Sequence, residues 1–423
     1  MPADSADQAQ SIPARPATIT LEEAIHRAQA NEPAFAAAMA DSKAARLDRW
    51  TARADLLPGV VYHNQAIYTQ GNGQKSQASQ IFIANNSVHE YASQAVVNET
   101  VGLGALAGVR RADAEAARAK AELEIARRGL VSAVTGLYYS SLAADNKLAV
   151  AGRAHREAAD FVSLTGKREQ AREAAHADVV KAQLALQQRQ RDLADARVAA
   201  DKAHLELGVL LFPDPRTPYV LVAADGAAEL PSRSDVEQAA AKYNPELKSA
   251  LAAVGVSNAD VLAARAAYLP DLGLNVTYGI DAPQFAVNTP DHLRNLGYAA
   301  SVTLDIPVWD WFSTQRKVKQ SEIRRDAARV ALTAAQRRLI ARLDEAYQEA
   351  AAAREQLASL DASVDTAAES LRLTRLRYAE GEATVLEVVD AQGAFVSAEN
   401  EREDGRVRYQ TARVELETLT GTM

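Results

Sequence analysis

The amino-acid sequence predicts a mainly α fold with a small β part, built by internal duplication. Three observations carry this. Pro33 and Pro245 stand 212 positions apart, as do Pro58 and Pro270, which close the matched pieces Thr51–Pro58 and Ala263–Pro270. Further on, Tyr138 matches Tyr347, and Asp178-Val-Val-Lys-Ala-Gln183 matches Glu387-Val-Val-Asp-Ala-Gln392, both at 209. A repeat on this scale sets the architecture before any local reading does. The second observation is composition: aromatics are 5% of 423 residues, with 20 Gly, 14 Pro and abundant Ala, which favours long helices over a compact α/β core. The third is a heptad seam through Leu339, Leu343, Ala346, Ala350, Ala353, Leu357, Leu360, Val364, Ala367, Leu371, Thr374 and Tyr378, in alternating steps of four and three.

The elements follow in order. Residues 1–20 have no apolar core and read as a disordered Pro/Ala/Ser tail, not a signal peptide. Either the protein is cytoplasmic or a signal has been removed. The first repeat spans 21–211. It opens with a short helix, about Leu21–Ala30, and a second that begins at Pro33, where a missing N–H is harmless. Strands are expected over about 60–69 and 88–101, around a Gly/Asn/Gln/Ser loop at Gln70–Ser87; His63, Asn64 and Gln65 interrupt the apolar side. A long helical hairpin should fill about 105–211, breaking between Gln170 and His176. Residues 212–232 read as a linker.

The second repeat spans 233–419. After two helices, the period changes to two: Leu272, Leu274, Val276, Tyr278 and Ile280 alternate with small or polar residues, as do Tyr298, Ala300, Val302, Leu304 and Ile306. These predict strands at about 272–280 and 296–306 around a Pro/Asn/Asp loop. Strands of about ten residues, apolar on one face, suit a membrane barrel; the same pattern suits a soluble hairpin with one face on a core. A hairpin over about 311–419 follows, with a first helix of roughly 65 residues, about 100 Å long. It breaks at Glu380-Gly381-Glu382 and resumes from Thr384.

Several classes are excluded. A net charge of −8 gives no basic footprint for nucleic acid. There is no cysteine, hence no disulfide or thiol chemistry. No stretch approaches the 18 apolar residues of a membrane helix. The seven histidines are scattered, so no metal or other cofactor is expected. Gly71-Asn-Gly73 lacks the strand and helix of a phosphate loop, and no catalytic constellation is visible: the chain does not read as an enzyme. Trp50, Trp309 and Trp311 suit a core; the last two equally suit an interfacial aromatic belt.

Two helices, a strand pair and a long hairpin, twice over, resemble the TolC family of outer-membrane efflux channels. Ile306-Pro-Val-Trp-Asp-Trp-Phe312 resembles that family's passage from strand into rod. Arg377-Tyr378-Ala-Glu-Gly381 through Gln392 resembles its second hairpin tip, and Ala175-His-Ala-Asp178 through Gln183 its first. The resemblance covers about Leu21 to Leu419. It implies a homotrimer whose protomers each give four strands to one membrane β-barrel, continued by a tapered α-barrel of helical hairpins across the periplasm. The function implied is a passive outer-membrane exit duct of a tripartite efflux or type I secretion system, reached through a periplasmic adaptor from an inner-membrane pump. The alternative is a soluble antiparallel coiled-coil scaffold, which explains the heptads but not the strands.

Site residues follow from the same resemblance. Tyr378 fills the gate tyrosine position and Asp178 the gate aspartate, joined by a phenol–carboxylate bond; the gate arginine position holds Ala383. Glu387 and Asp390 share a helix face and read either as a solvated pair or, by the resemblance, as a pore-facing acidic ring. Arg172 and Glu173 at the first tip, and Gly381 and Glu382 at the second, would meet the adaptor.

Overall fold

The computed structural model describes residues 17–68, 89–223, 230–288, 292 and 294–421. In order these form β1 (Ala17–Ile19), α1 (Leu21–Asn31), α2 (Pro33–Ala54), β2 (Gly59–Tyr68), β3 (His89–Val101), α3 (Leu103–Gln170), α4 (His176–Leu211), β4 (Tyr219–Leu221), α5 (Arg233–Tyr243), α6 (Pro245–Ala266), β5 (Asp271–Ala282), β6 (Leu296–Asp305), α7 (Ser313–Ala379) and α8 (Val385–Thr420). Two compact units result: Met1–Met39 with Glu122–Leu247 and Gln336–Met423, and Ala40–Ala121 with Lys248–Ala335.

The first unit is helical, and its two halves use matched devices. The heptad seam is where α7 buries itself: Leu343, Ala346, Ala350, Ala353, Val364, Leu371 and Tyr378 are all buried. The small residues on that seam keep it thin, so helices approach closely instead of enclosing a thick core. Gly405 of α8 belongs to the same economy, since a Cβ there would stand 2.5 Å from Leu360 Cδ1. Each short helix docks through an asparagine: Asn31 Nδ2 donates to Leu211 O at 2.7 Å, and Asn244 Nδ2 to Leu419 O at 3.2 Å. Both amides satisfy a carbonyl that the last turn of a helix leaves without an intrahelical donor. The matched tyrosines also reach backbone, Tyr138 Oη to Val222 O at 2.6 Å and Tyr347 Oη to Pro231 O at 3.5 Å.

Two expectations change here. Residues 17–20 do not belong to a disordered tail. Ala17–Ile19 pairs in parallel with Tyr219–Leu221, inside the stretch expected to be a linker, and Thr20 caps α1. Ile19 is fully buried beside Tyr138, and that apolar anchor is what a Pro/Ala-rich composition hid. The rest of the tail, the Gln70–Ser87 loop with Gly71-Asn-Gly73, and 224–229 of the linker lie outside the described residues. A helical stretch, Arg233–Ala266, is apolar enough by length and composition to cross a membrane. Alanine content brings it to that threshold, and Asn244 splits it into α5 and α6.

The second unit holds a four-stranded antiparallel sheet in the order β2-β3-β5-β6. The β3–β5 pairing joins the two repeats, from Tyr91↔Ala282 to Val101↔Leu272. Register places Tyr62, Ala95, Tyr278 and Tyr298 in one row, and Val60, Val97, Val276 and Ala300 in another on the same face. On the opposite face run His63, Gln94, Gly279 and Gly297. So His63 and Gln65 do not interrupt the apolar side of β2; only Asn64 does. Its Oδ1 accepts from Ser93 Oγ at 2.8 Å, and Ser93 Oγ meets Tyr62 Oη at 2.9 Å. Polar groups on an apolar face are tolerable when they satisfy one another. Gly279 lets β5 approach β3, since a Cβ there would stand 2.2 Å from Ser93 O. The helix after β6 begins at Ser313 rather than at Trp311, because Trp311 and Phe312 take left-handed backbone (φ 57° and 61°). Asp310 then closes the first turn of α7 by accepting from Thr314 N at 2.6 Å.

Candidate functional site

The site residues read from the sequence gather at the two hairpin tips, and both tips lie in the helical unit. Phe161 of α3, Ala182 of α4, Tyr378 of α7 and Val385 and Val388 of α8 share one apolar cluster. Each tip is made the same way. Two residues past the end of α3, Arg172 has φ 64°, and two residues past the end of α7, Gly381 has φ 82°. Glu173 N then donates to Arg168 O, and Glu382 N to Arg377 O, both at 2.8 Å. These bonds reach back over the last turn and close it with one left-handed residue.

Tyr378 is 6% exposed, its ring 5.2 Å from that of Phe161. Its hydroxyl meets Thr165 Oγ1 at 3.4 Å, a long contact. The expected phenol–carboxylate bond to Asp178 is not made within the protomer. Asp178, third in α4, pairs instead with Lys181 at 3.7 Å on its own helix. The physical reason is burial: the phenol is turned into the apolar cluster, while Asp178 stays half-exposed.

The residue that does join the tips is Arg168, which the sequence reading missed. Its Nη1 donates to Tyr378 O at 2.5 Å, Nη2 to Ala379 O at 3.3 Å, and its guanidinium lies 4.9 Å from the centre of the Tyr378 ring. Nε stands 3.5 Å from Glu173 Oε2. One side chain therefore caps the negative end of α7 from α3 and holds its own tip as well. An arginine in the last turn of a helix was the available signal, but nothing in the spacing says it would serve the neighbouring helix. Alongside, Arg375 bonds Glu157, again α7 to α3.

Glu387 is also engaged. Its Oε2 accepts from Thr384 N at 2.6 Å, while Thr384 Oγ1 accepts from Glu387 N at 3.3 Å. This is a reciprocal capping box. Asp390 is exposed and unpaired among the described residues, so the two carboxylates expected to act together have different local duties. Arg172, Glu173, Gly381 and Glu382 are all exposed at the tips.

The family model for outer membrane efflux proteins matches the chain twice, over residues 24–211 and 236–422. The alkaline protease secretion protein AprF of Pseudomonas aeruginosa is 24% identical over 410 residues, covering 94% of this chain and 83% of the relative. The CmeC outer membrane channel of Campylobacter jejuni superposes with TM-score 0.78 at 16% identity, over 95% of this chain and 85% of that one. The outer membrane protein VceC of Vibrio cholerae gives 0.77 at 17%, over 95% and 96%. A fold shared at such low identity, with a family model that fits each half separately, leaves one conclusion: the chain belongs to the outer membrane efflux protein family.

Proposed function

We propose that this chain is one protomer of a homotrimeric outer-membrane exit duct, receiving cargo from an inner-membrane pump through a periplasmic adaptor. One observation carries the reading. The sheet presents an apolar face that no described residue of the unit covers: Val60 is 71% exposed, Tyr298 84% and Val302 68%. The other face is polar, with Asn98 bonded to Asn275 and Gln94 to Asp281. A soluble hairpin would cover that apolar face, and patches of this kind mark membrane or protein contacts. Four strands with free outer edges can span lipid only by closing with other copies, and three copies supply twelve strands. The duct itself is passive. The relative named for protease secretion supports the type I secretion branch of this reading.

The tips form its periplasmic gate. Tyr378 and Arg168 hold α7 to α3 inside the protomer, and Asp178 faces the neighbouring tip. Asp390, with Glu387 at the start of the same helix, supplies the acidic ring that gathers cations. Arg172, Glu173, Gly381 and Glu382 meet the adaptor. Purified protein should be a trimer that needs detergent to stay dispersed, checked by light scattering with mass determination. A monodisperse monomer without detergent would favour the scaffold reading instead.

A further inference from the structure

We propose a phosphate-binding groove on the membrane-proximal helices, seated under the strands and occupied by the phosphodiester headgroup of a membrane lipid. The groove runs over α6 between α3 and α7, has a volume of about 340 Å³, and is walled by Arg110, Arg265 and Arg325 with no carboxylate among its lining residues. That volume is within the range of small-ligand sites. Asn258 adds an amide, and Val261 and Leu262 give an apolar floor. The floor exists because α6 and α3 approach closely at Gly255, where a Cβ would stand 3.2 Å from Ala114 Cβ.

The guanidinium groups are available. Arg110 makes no ion pair among the described residues. Among the described residues Arg325 makes its salt bridge to its exposed neighbour Asp326 and acts on Glu322 only at longer range, and Arg265 gives one nitrogen to Glu322 at 2.7 Å. Each guanidinium carries five donors in a fork that fits two phosphate oxygens, so these pairs leave donors over. The surroundings repeat the charge. Between Ser313 and Ala335, α7 carries six basic residues and two acidic ones, in a chain of net charge −8. Arg316 and Lys317 make no salt bridge among the described residues, and Lys319 acts on Glu322 only at longer range.

Position selects the lipid over a soluble anion. Arg265 is in the last turn of α6, six positions before β5 begins. On the other side, the exposed apolar stripe of β6 runs on through Ile306 and Val308 to Trp309, Trp311 and Phe312, whose rings cluster at 5.2–5.8 Å. Exposed aromatics followed by basic residues mark the level where acyl chains meet headgroups. The lipid as source rests on the membrane-wall reading above; the phosphate groove rests on its own side chains.

The test is native mass spectrometry of the delipidated protein in detergent, titrated with phosphatidylglycerol, with dioleoylglycerol as the phosphate-free control. Arg110→Gln with Arg325→Gln, which breaks no ion pair between helices, should weaken phosphatidylglycerol binding about thirtyfold and leave dioleoylglycerol unchanged. Equal binding by variant and wild type would overturn the groove. Displacement of the lipid by inorganic phosphate at comparable concentration would overturn the lipid assignment in favour of a soluble phosphate ester. Should the double variant not assemble, Arg110→Gln alone carries the test, with a smaller loss in the same direction. Single-channel conductance of the same variants reports on the duct separately, so a conducting variant that has lost lipid separates the two failures.

Discussion

The two hairpin tips have the same backbone and opposite chemistry. At the position 209 residues apart where the chain turns left-handed, the second tip has Gly381 and the first has Arg172. At the matched N-caps, Thr384 closes a capping box with Glu387, whereas Ala175 makes no side-chain cap bond. A left-handed non-glycine residue costs about 1–2 kcal/mol, and a lost cap about 1 kcal/mol. The first tip is therefore the weaker one, and Arg168 compensates by tying it to the carbonyls that end α7. One half of the duplication thus ends in a self-capped turn and the other in a turn held shut by its neighbour.

The largest effect should come from that tie. Arg168→Ala removes two bonds from a charged donor, at about 1.5–3 kcal/mol each when shielded, and should raise the resting single-channel conductance clearly. Tyr378→Phe removes only the 3.4 Å contact to Thr165 and should change it little. If the phenylalanine variant opens the channel more than the alanine variant does, the gate belongs to the phenol.

Next is charge selectivity. Because Glu387 is half of a cap, truncating it would confuse turn stability with pore charge. Glu387→Gln with Asp390→Asn keeps the box, since glutamine also serves at that position, and removes six carboxylates per trimer. Reversal potentials should show the cation preference reduced; an unchanged preference would return both residues to a solvated helix face.

A smaller effect tests the tips against each other. Thr384→Ala should destabilise the second tip by about 1 kcal/mol. Arg172→Gly should stabilise the first by under about 1 kcal/mol, the left-handed cost being partly offset by glycine's chain entropy. Hydrogen exchange at each tip would read both, and a loss of protection in Arg172→Gly would contradict the assignment of strain there.

The smallest is a pH dependence confined to one repeat. His204 of α4 bonds the Asp145 carboxylate at 3.0 Å, and this bond raises its pKa against the lowering effect of burial. The matched positions of the second repeat hold Arg354 and Arg413, so that repeat has no histidine–carboxylate pair there. A histidine pKa raised by folding gives stability that is full below about pH 6.5 and is lost as pH rises through the raised value. Protection of α3 and α4 near His204 should therefore be constant below about pH 6.5 and fall as pH rises above it. That of α7 and α8 should not, and His204→Gln should flatten the difference.

Much of this was legible in the sequence, for stated reasons. A period of two in Leu272–Ile280 and of seven through Leu339–Tyr378 each reflects which side of an element is apolar, and both survive into the structure as the open face of β5 and the buried seam of α7. What could not be read was partnership across long sequence distances. Ile19 looked like tail because its partner is Leu221, and the role of Arg168 went unread because its acceptors are 210 and 211 residues away. The cap made by Glu387 was missed for the opposite reason: its partner, Thr384, stands three residues away in plain view, while the family likeness directed attention to the pore.

Everything proposed for the duct depends on the sheet being a membrane wall. Purified protein should be added to a planar lipid bilayer and the current followed at fixed voltage. A membrane wall should give discrete, long-lived, cation-preferring steps, abolished by Val302→Arg on the apolar face, where a charge at mid-membrane costs about 2–4 kcal/mol per copy, and retained by Ser301→Arg on the polar face. Steps that survive Val302→Arg, or no steps from a correctly assembled trimer, would contradict it.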